Sequence, residues 1–345
     1  MEMRTHPGNL ILALLVCLAC TTIRWAPDPS GARQIAPWKP VPELEPRLLD
    51  PDDVTVQREG LTVEQNWILD IYTLFHARDY DAFRVLFPGS ESDEVVAHLL
   101  IPPGAGPHPV VLVFPILQGS HVVSEGMAKA LVRRGYAVAR MERRELKLSE
   151  ARGPEVPSHA FRQAILDARR LLDWLVTHPR LDPERVAAAG VSTGAILSLT
   201  LMEVDPRVRA GFFLMVGGNL AEILYDSREK PIRIFRKRLC AQHQLETREA
   251  WAAFMQPYLE PVDPITYADR VDPRQVLIVS GRFDRIIHSK HTKALWQALG
   301  QPTWRRFPAG HYQFFPFFWW AVGRGSDHLD GFFSSRESEA PVQLR

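Results

Sequence analysis

Hydrophobic and polar positions along the chain fall into two alternating kinds of segment. Short, largely apolar runs recur at Pro109–Phe114, Tyr136–Met141, Val186–Ala189, Val208–Val216 and Gln275–Ser280. Runs of this length, rich in β-branched residues, predict strands buried on both faces. Residues 94–102 and Thr303–Phe307 read as two more. Amphipathic stretches lie between them. His159–Thr177 places Phe161, Ile165, Ala168, Leu171, Leu172 and Leu175 on one 3.6-residue stripe, which predicts a helix. Glu125–Arg134 and Lys290–Leu299 are shorter and stop at Gly135 and Gly300, as helices capped by glycine do. Strands alternating with helices of crossover length predict an α/β fold whose mostly parallel, doubly wound sheet is covered on both faces.

Three stretches break the alternation. About 55 residues separate the strand ending near Gly218 from the one starting at Gln275, too many for a simple connection. Their composition is helical, over Glu222–Tyr225 and Thr247–Gln256, which predicts a cap inserted at about 219–273. Within it, Arg228–Arg238 carries six cations against Glu229 alone. That run reads as a solvated helix face, with contact to anionic lipid headgroups or an anionic substrate as the alternative. Tyr312–Trp320 is aromatic on every face and predicts a C-terminal helix packed on the sheet under the cap. An acyl-pocket wall or a membrane-facing patch are its functional readings. Residues 53–93 open on Thr62-Val63-Glu64-Gln65, which resembles a capping box. Trp67, Ile68, Ile71, Leu74 and Phe75 follow at helical spacing. An N-terminal helical segment is expected there.

Candidate chemistry sits where predicted strands end. Val186–Ala189 runs into Gly190-Val191-Ser192-Thr193-Gly194, and a helix-like run, Ala195–Met202, begins at once. Strand, Gly-x-Ser-x-Gly turn and helix together form the nucleophile-elbow pattern. Large side chains at Gly190 and Gly194 would collide with neighbouring elements, and the residue after the serine opens a helix with a free N–H. Gln275–Ser280 leads into Gly281-Arg282-Phe283-Asp284. One helix and one strand later comes Gly310-His311. Serine, carboxylate and histidine thus follow one another in the chain order that such hydrolases use.

On these motifs the chain resembles the α/β-hydrolases, nearest to bacterial serine esterases of the dienelactone-hydrolase and acyl-esterase type. Asp263–Ala268 through Gly281–Asp284 to Gly310-His311 is similar to their C-terminal half, and the likeness spans roughly 94–335. The resemblance implies an α/β-hydrolase fold with Ser192 as nucleophile, His311 as general base and acid, and Asp284 as the orienting carboxylate. It implies acyl transfer to water and requires no cofactor. Thr193 supplies one oxyanion N–H by its place after the serine. Many relatives carry His-Gly-x-x-Gly-Ser after the Pro109–Phe114 strand. This chain has Pro115-Ile116 and keeps Gly119-Ser120, which places the second donor at Leu117, with Ile116 as the alternative. His288 and His291, near Asp284, read as a solvated helix face rather than a metal site.

The N-terminus adds an address. Leu10–Ala19 has the length of a signal h-region, too short to span a bilayer. It ends in Cys17-Leu18-Ala19-Cys20, which resembles a bacterial lipoprotein signal, residues 1–20, lipidated at Cys20. Residues 24–52 hold seven prolines, so 21–52 is expected to be an extended tether. The expected location is the periplasm-facing cell envelope, with secretion or an uncleaved anchor as alternatives. With Cys20 lipidated, Cys240 is the one free thiol. A net charge of +1 gives no support to nucleic-acid binding. At 345 residues and 46% hydrophobic content, the chain predicts one globular domain, 94–335, with an insertion, a tether and a short tail over 336–345. Two functions fit: a serine hydrolase of carboxylic esters, with thioesterase and peptidase variants, or a catalytically silent envelope binding module of the same fold. Its partners are then a small-molecule ester and, through lipid anchor, basic cap or aromatic tail, a membrane surface.

Overall fold

The structure, a computed structural model, describes residues 35–58, 80–91, 93–117, 121–144 and 146–339. Among the described residues the seven expected apolar runs and two further strands form a nine-stranded sheet in the order β1-β2-β3-β5-β4-β6-β7-β8-β9. The strands are β1 (Thr55–Arg58), β2 (Asp81–Pro88), β3 (Glu94–Ile101), β4 (His108–Phe114), β5 (Ala137–Met141), β6 (Leu181–Val191), β7 (Val208–Leu214), β8 (Val276–Gly281) and β9 (Thr303–Phe307). From β5 through β4 and β6 to β9 every pairing is parallel, while β1, β2 and β3 pair antiparallel.

Side chains alternate across a strand, so each buried strand feeds two cores. Leu112 and Ala188 face one core, and Val111, Val113, Ala187 and Ala189 face the other. Helices α2 (Val156–Leu175), α3 (Thr193–Val204) and α7 (Ser289–Ala298) cover the first core. Helices α1 (Val122–Val132) and α8 (Phe318–Glu339) cover the second. The doubly wound parallel sheet follows from the alternation of apolar runs and amphipathic stripes.

The insertion is helical, as expected. It holds α4 (Leu220–Asp226), α5 (Lys230–His243) and α6 (Arg248–Leu259), with the Thr247 side chain capping α6 through the Ala250 N–H. Trp251 is fully buried among them and donates its indole N–H to the Ala221 carbonyl at 2.9 Å. Asp263 closes the insertion. Its carboxylate accepts the Asn219 and Leu220 N–H groups at the start of α4.

Two expectations for the N-terminal part need correction. The ends of the segment 53–93 are strands, β1 and β2, which extend the sheet beyond the boundary expected at residue 94. The capping box at 62–65 and its helical stripe lie outside the described residues, as do the signal segment and Cys20. The second half of the expected tether is also not extended free chain. Val41, Leu44 and Leu49 are buried, and Arg169 and Arg170 of α2 donate to the Leu44 and Arg47 carbonyls at 2.5 and 2.7 Å. Proline stiffens this stretch, but three apolar side chains spaced along it find a partner in α2. At the other end, α8 runs through the boundary expected at 336 to Glu339.

Candidate active site

Five strands deliver chemistry to one edge of the sheet, because parallel strands all end on the same side. At the end of β6 the chain turns into α3 within a single residue. Ser192 takes φ 55° and ψ −121°, a backbone state that costs roughly 1–3 kcal/mol. The surroundings hold it there. A Cβ on Gly190 would lie 2.7 Å from the Ala195 amide nitrogen, and one on Gly194 would lie 2.5 Å from the Phe114 carbonyl oxygen. Only bare backbone lets the elbow press this closely against β4.

Beyond β8, Asp284 is buried, with its two oxygens doing separate work. Oδ1 accepts the Ile286 and Ile287 N–H groups at 2.8 and 3.0 Å. Oδ2 accepts the His311 Nδ1–H at 2.8 Å, and the Ser192 hydroxyl donates to His311 Nε2 at 3.0 Å. The structure therefore brings Ser192, His311 and Asp284 into one hydrogen-bonded chain from three strand ends. The Nδ1 bond fixes the imidazole tautomer, which leaves Nε2 free to accept a proton.

Thr193 is the first residue of α3, so its N–H has no acceptor within the helix. Peptide geometry separates the two expected second donors. In a trans peptide the N–H points opposite to the C=O of the same unit. The Pro115 carbonyl is turned toward α3, 2.8 Å from the position of a Cβ on Gly194. The Ile116 N–H in that unit therefore points away from the elbow. The next carbonyl, of Ile116, is turned toward Arg143, whose Nε donates to it at 2.8 Å. Ile116, Leu117 and Thr193 border both the Ser192 chamber and the smaller pocket that Arg143 lines, so the two carbonyl directions alone separate the donors. This orientation favours Leu117 over Ile116. Gly119 and Ser120 lie outside the described residues.

Arg143 escaped the sequence reading. The available signal was a cation two residues beyond a buried strand, β5, on the same sheet edge as the elbow. Burial pushes its guanidinium pKa down, and its Nη2 has no partner among the described residues. Tyr312 was read only as part of an aromatic run. Tyr312 is largely exposed, yet the partial desolvation it undergoes and a hydrogen bond to the Glu229 carboxylate push its phenol up to about 12, and the contact joins the His311 loop to the cap.

Other expected features moved. His291 is not on a solvated face. It is 2% exposed and its Nε2 pairs with Asp226 at 3.0 Å. Burial pushes its pKa down. Among the described residues no cluster of three or more His, Cys, Asp or Glu side chains could hold a metal ion. The basic run is only partly solvated. Arg236 donates to the Tyr225 carbonyl, and Arg238 to the Ser149 and Ala151 carbonyls, while Arg228, Lys230, Arg233 and Lys237 are exposed. The aromatic run begins as a 3₁₀ segment, Tyr312–Phe317, before α8. Phe314 and Phe317 are buried against the sheet, and Tyr312 and Phe315 are exposed.

Residues 91–229 match the family model of X-Pro dipeptidyl-peptidase (S15 family). The match includes Ser192 and stops short of Asp284 and His311. Acetyl xylan esterase 1 from Thermoanaerobacterium sp. superposes with a TM-score of 0.56 at 17% identity, over 76% of this chain and 85% of that one. Acetyl xylan esterase from Paenibacillus sp. R4 gives 0.57 at 14% identity, over 78% and 92%. A hypothetical protein from Pseudomonas aeruginosa gives 0.51 at 14%, over 78% and 99%. Curated protein sequences yield no match. At these identities the likeness is one of fold: the chain has the α/β-hydrolase fold. The family match, which includes the Gly-x-Ser-x-Gly turn, supports a serine hydrolase, and the neighbours add the fold alone.

Proposed function

We propose that the chain hydrolyses carboxylic esters through an acyl-enzyme on Ser192. The observation that carries this reading is the pair of hydrogen bonds from Ser192 to His311 and from His311 to Asp284. In the first half-reaction Ser192 Oγ attacks the ester carbonyl carbon and its proton passes to His311 Nε2. The imidazolium then protonates the leaving alkoxide. In the second half-reaction water attacks the acyl-enzyme, again with His311 as base, and the carboxylic acid departs. The Thr193 and Leu117 N–H groups are the oxyanion donors in this scheme. Arg143 acts on the second of them as a positioning residue, by holding the Ile116 carbonyl.

Labelling with an alkyl fluorophosphonate tests the reading. Modification of Ser192, lost in Ser192→Ala together with turnover of p-nitrophenyl butyrate, is the expected result. An unlabelled wild-type protein, or a Ser192→Ala variant that keeps its turnover, overturns it. The family match over residues 91–229 favours a second reading, peptide hydrolysis. A Xaa-Pro-p-nitroanilide cleaved with a higher kcat/KM than any p-nitrophenyl ester decides for it. We further propose a lipid-anchored envelope location from the Leu10–Ala19 run and Cys20. Metabolic palmitate labelling that survives Cys20→Ala speaks against it.

A further inference from the structure

We propose that the chamber beside Ser192 is an acyl-chain site, built for esters of unbranched aliphatic acids of about eight carbons. The proposal rests on the esterase reading and adds a substrate class to it. Ser192 and His311 border the chamber directly, so whatever fills it is covalently connected to the carbonyl under attack. At least five separate parts of the chain contribute apolar side chains to its walls. Leu117 follows β4, Phe161 sits on α2, Leu224 and Ile232 on the cap, Ile286 after the acid, and Phe315 after the histidine. A surface assembled from so many segments and left unfilled by any of them has lost packing that an alkyl chain would restore.

Charge narrows the class. Among the described residues no Lys or Arg lines the chamber, and its one carboxylate is Glu229. An acyl group that ends in a carboxylate finds no counter-ion there and meets a like charge. A sugar finds few partners for its hydroxyls, because among the described residues the polar lining beyond the reacting groups reduces to Ser227, Glu229 and Tyr312. Size narrows it further. The cavity volume is about 200 Å³. An apolar cavity of about 150 Å³ takes the six carbons of benzene. The same density gives about eight carbons here. An acetyl group would leave most of the chamber to water against hydrocarbon.

The test uses the purified full-length chain and p-nitrophenyl esters from acetate to palmitate. The kcat/KM is expected to rise by up to about fourfold per methylene, equivalent to ~0.8 kcal/mol. The maximum is expected near octanoate, with a fall beyond. A profile that is flat or highest at acetate overturns the chain-length proposal. Two variants push the optimum in opposite directions. Leu224→Trp fills the chamber and lowers the octanoate-to-acetate ratio of kcat/KM at least tenfold. Phe161→Ala enlarges it and shifts the maximum toward laurate. Ratios unchanged in both variants place the chain elsewhere and overturn the proposal. Adipate monoester turned over as fast as the octanoate does the same. Fluorophosphonate labelling separates the two levels of inference. Ser192 labelled with a flat ester profile removes the chamber proposal alone, whereas an unlabelled Ser192 removes the esterase reading and the proposal with it.

Discussion

The catalytic rim and the cap differ in how their polar groups are held. On the rim the serine and the carboxylate are each fixed by their own strand end. Ser192 is set by one turn, and Asp284 by two N–H groups from the residues just after it. On the cap the polar groups are fixed by partners far along the chain. Asp226 at the end of α4 accepts from Arg248 on α6 and from Lys290 and His291 on α7. The rim follows local rules and resists change at any one contact. The cap is a network in which each ion pair joins two otherwise separate elements. Substitutions on the rim should therefore alter the reaction and spare the fold, while those on the cap network should do the reverse.

The largest expected effect breaks the rim. In Asp284→Asn one carboxylate oxygen becomes an NH₂ group. The remaining oxygen cannot satisfy both the Ile286 and Ile287 N–H pair and the His311 Nδ1–H. It stays with the backbone, the NH₂ faces Nδ1, and the imidazole proton moves to Nε2, opposite Ser192. A kcat loss of about 10⁴ is expected, with Tm within a few degrees of wild type. A loss below tenfold would show that Asp284 only closes its own turn.

Arg143→Met sharpens the comparison, because Arg143 acts on the rim through another residue. Losing the donor to the Ile116 carbonyl frees the 116–117 peptide to rotate. The expectation is a kcat lower by about 10- to 100-fold with KM within about twofold. Arg143→Lys, which can still donate one hydrogen bond, should recover part of it. Equal losses in KM and kcat, or no recovery by lysine, would assign Arg143 to packing.

How much could be read from the chain follows the same division. The α/β-hydrolase fold and the meeting of Ser192, Asp284 and His311 were legible, because a Gly-x-Ser-x-Gly turn and two strand ends encode position within a few residues. The Leu117 and Ile116 alternatives were not separable from sequence. The orientation of a peptide plane depends on Arg143, 26 or more residues away, and on the Pro115 carbonyl. His291 was misread for the same reason: its burial comes from Asp226, on the cap. The stretch 35–52, part of the expected tether 21–52, looked like one because prolines dominate its composition. Its three buried apolar residues have meaning only once α2 is in place.

On the cap, Asp226→Asn is expected to cost about 2 kcal/mol of stability, as hydrogen bonds to a charged group do. Burial works against ionisation of Asp226, but hydrogen bonds from Arg248, Lys290 and His291 outweigh it and hold the carboxyl well below the usual range. A depressed folded-state pKa stabilises above the unfolded value near 4. That contribution is lost as pH falls through the folded value. Urea unfolding at pH 7 and pH 3 checks the sign. The wild-type advantage over Asp226→Asn should shrink at the lower pH, and an advantage constant with pH would remove the ionic account.

The smallest effect comes from a carboxylate that belongs to neither scheme. Glu203, at the end of α3, is 1% exposed, and both of its oxygens lack a partner among the described residues. Burial, and after it the nearby Asp263, push its pKa well above the ordinary value. The sign is opposite to that of Asp226. A folded-state pKa raised for an acid lowers stability as pH rises from the unfolded value through the folded one, because the buried group must either ionise or hold a proton that solvent would take. Glu203→Met keeps the side chain's length and removes the polar atoms. It should raise stability at pH 7 by about 1 kcal/mol and flatten the dependence of Tm on pH above 5, with Ser192 turnover of whichever substrate is used unaffected. A lower Tm in Glu203→Met would mean that Glu203 is paired after all, through a proton shared with Asp263, and that this corner of the cap's attachment is a third kind of polar site.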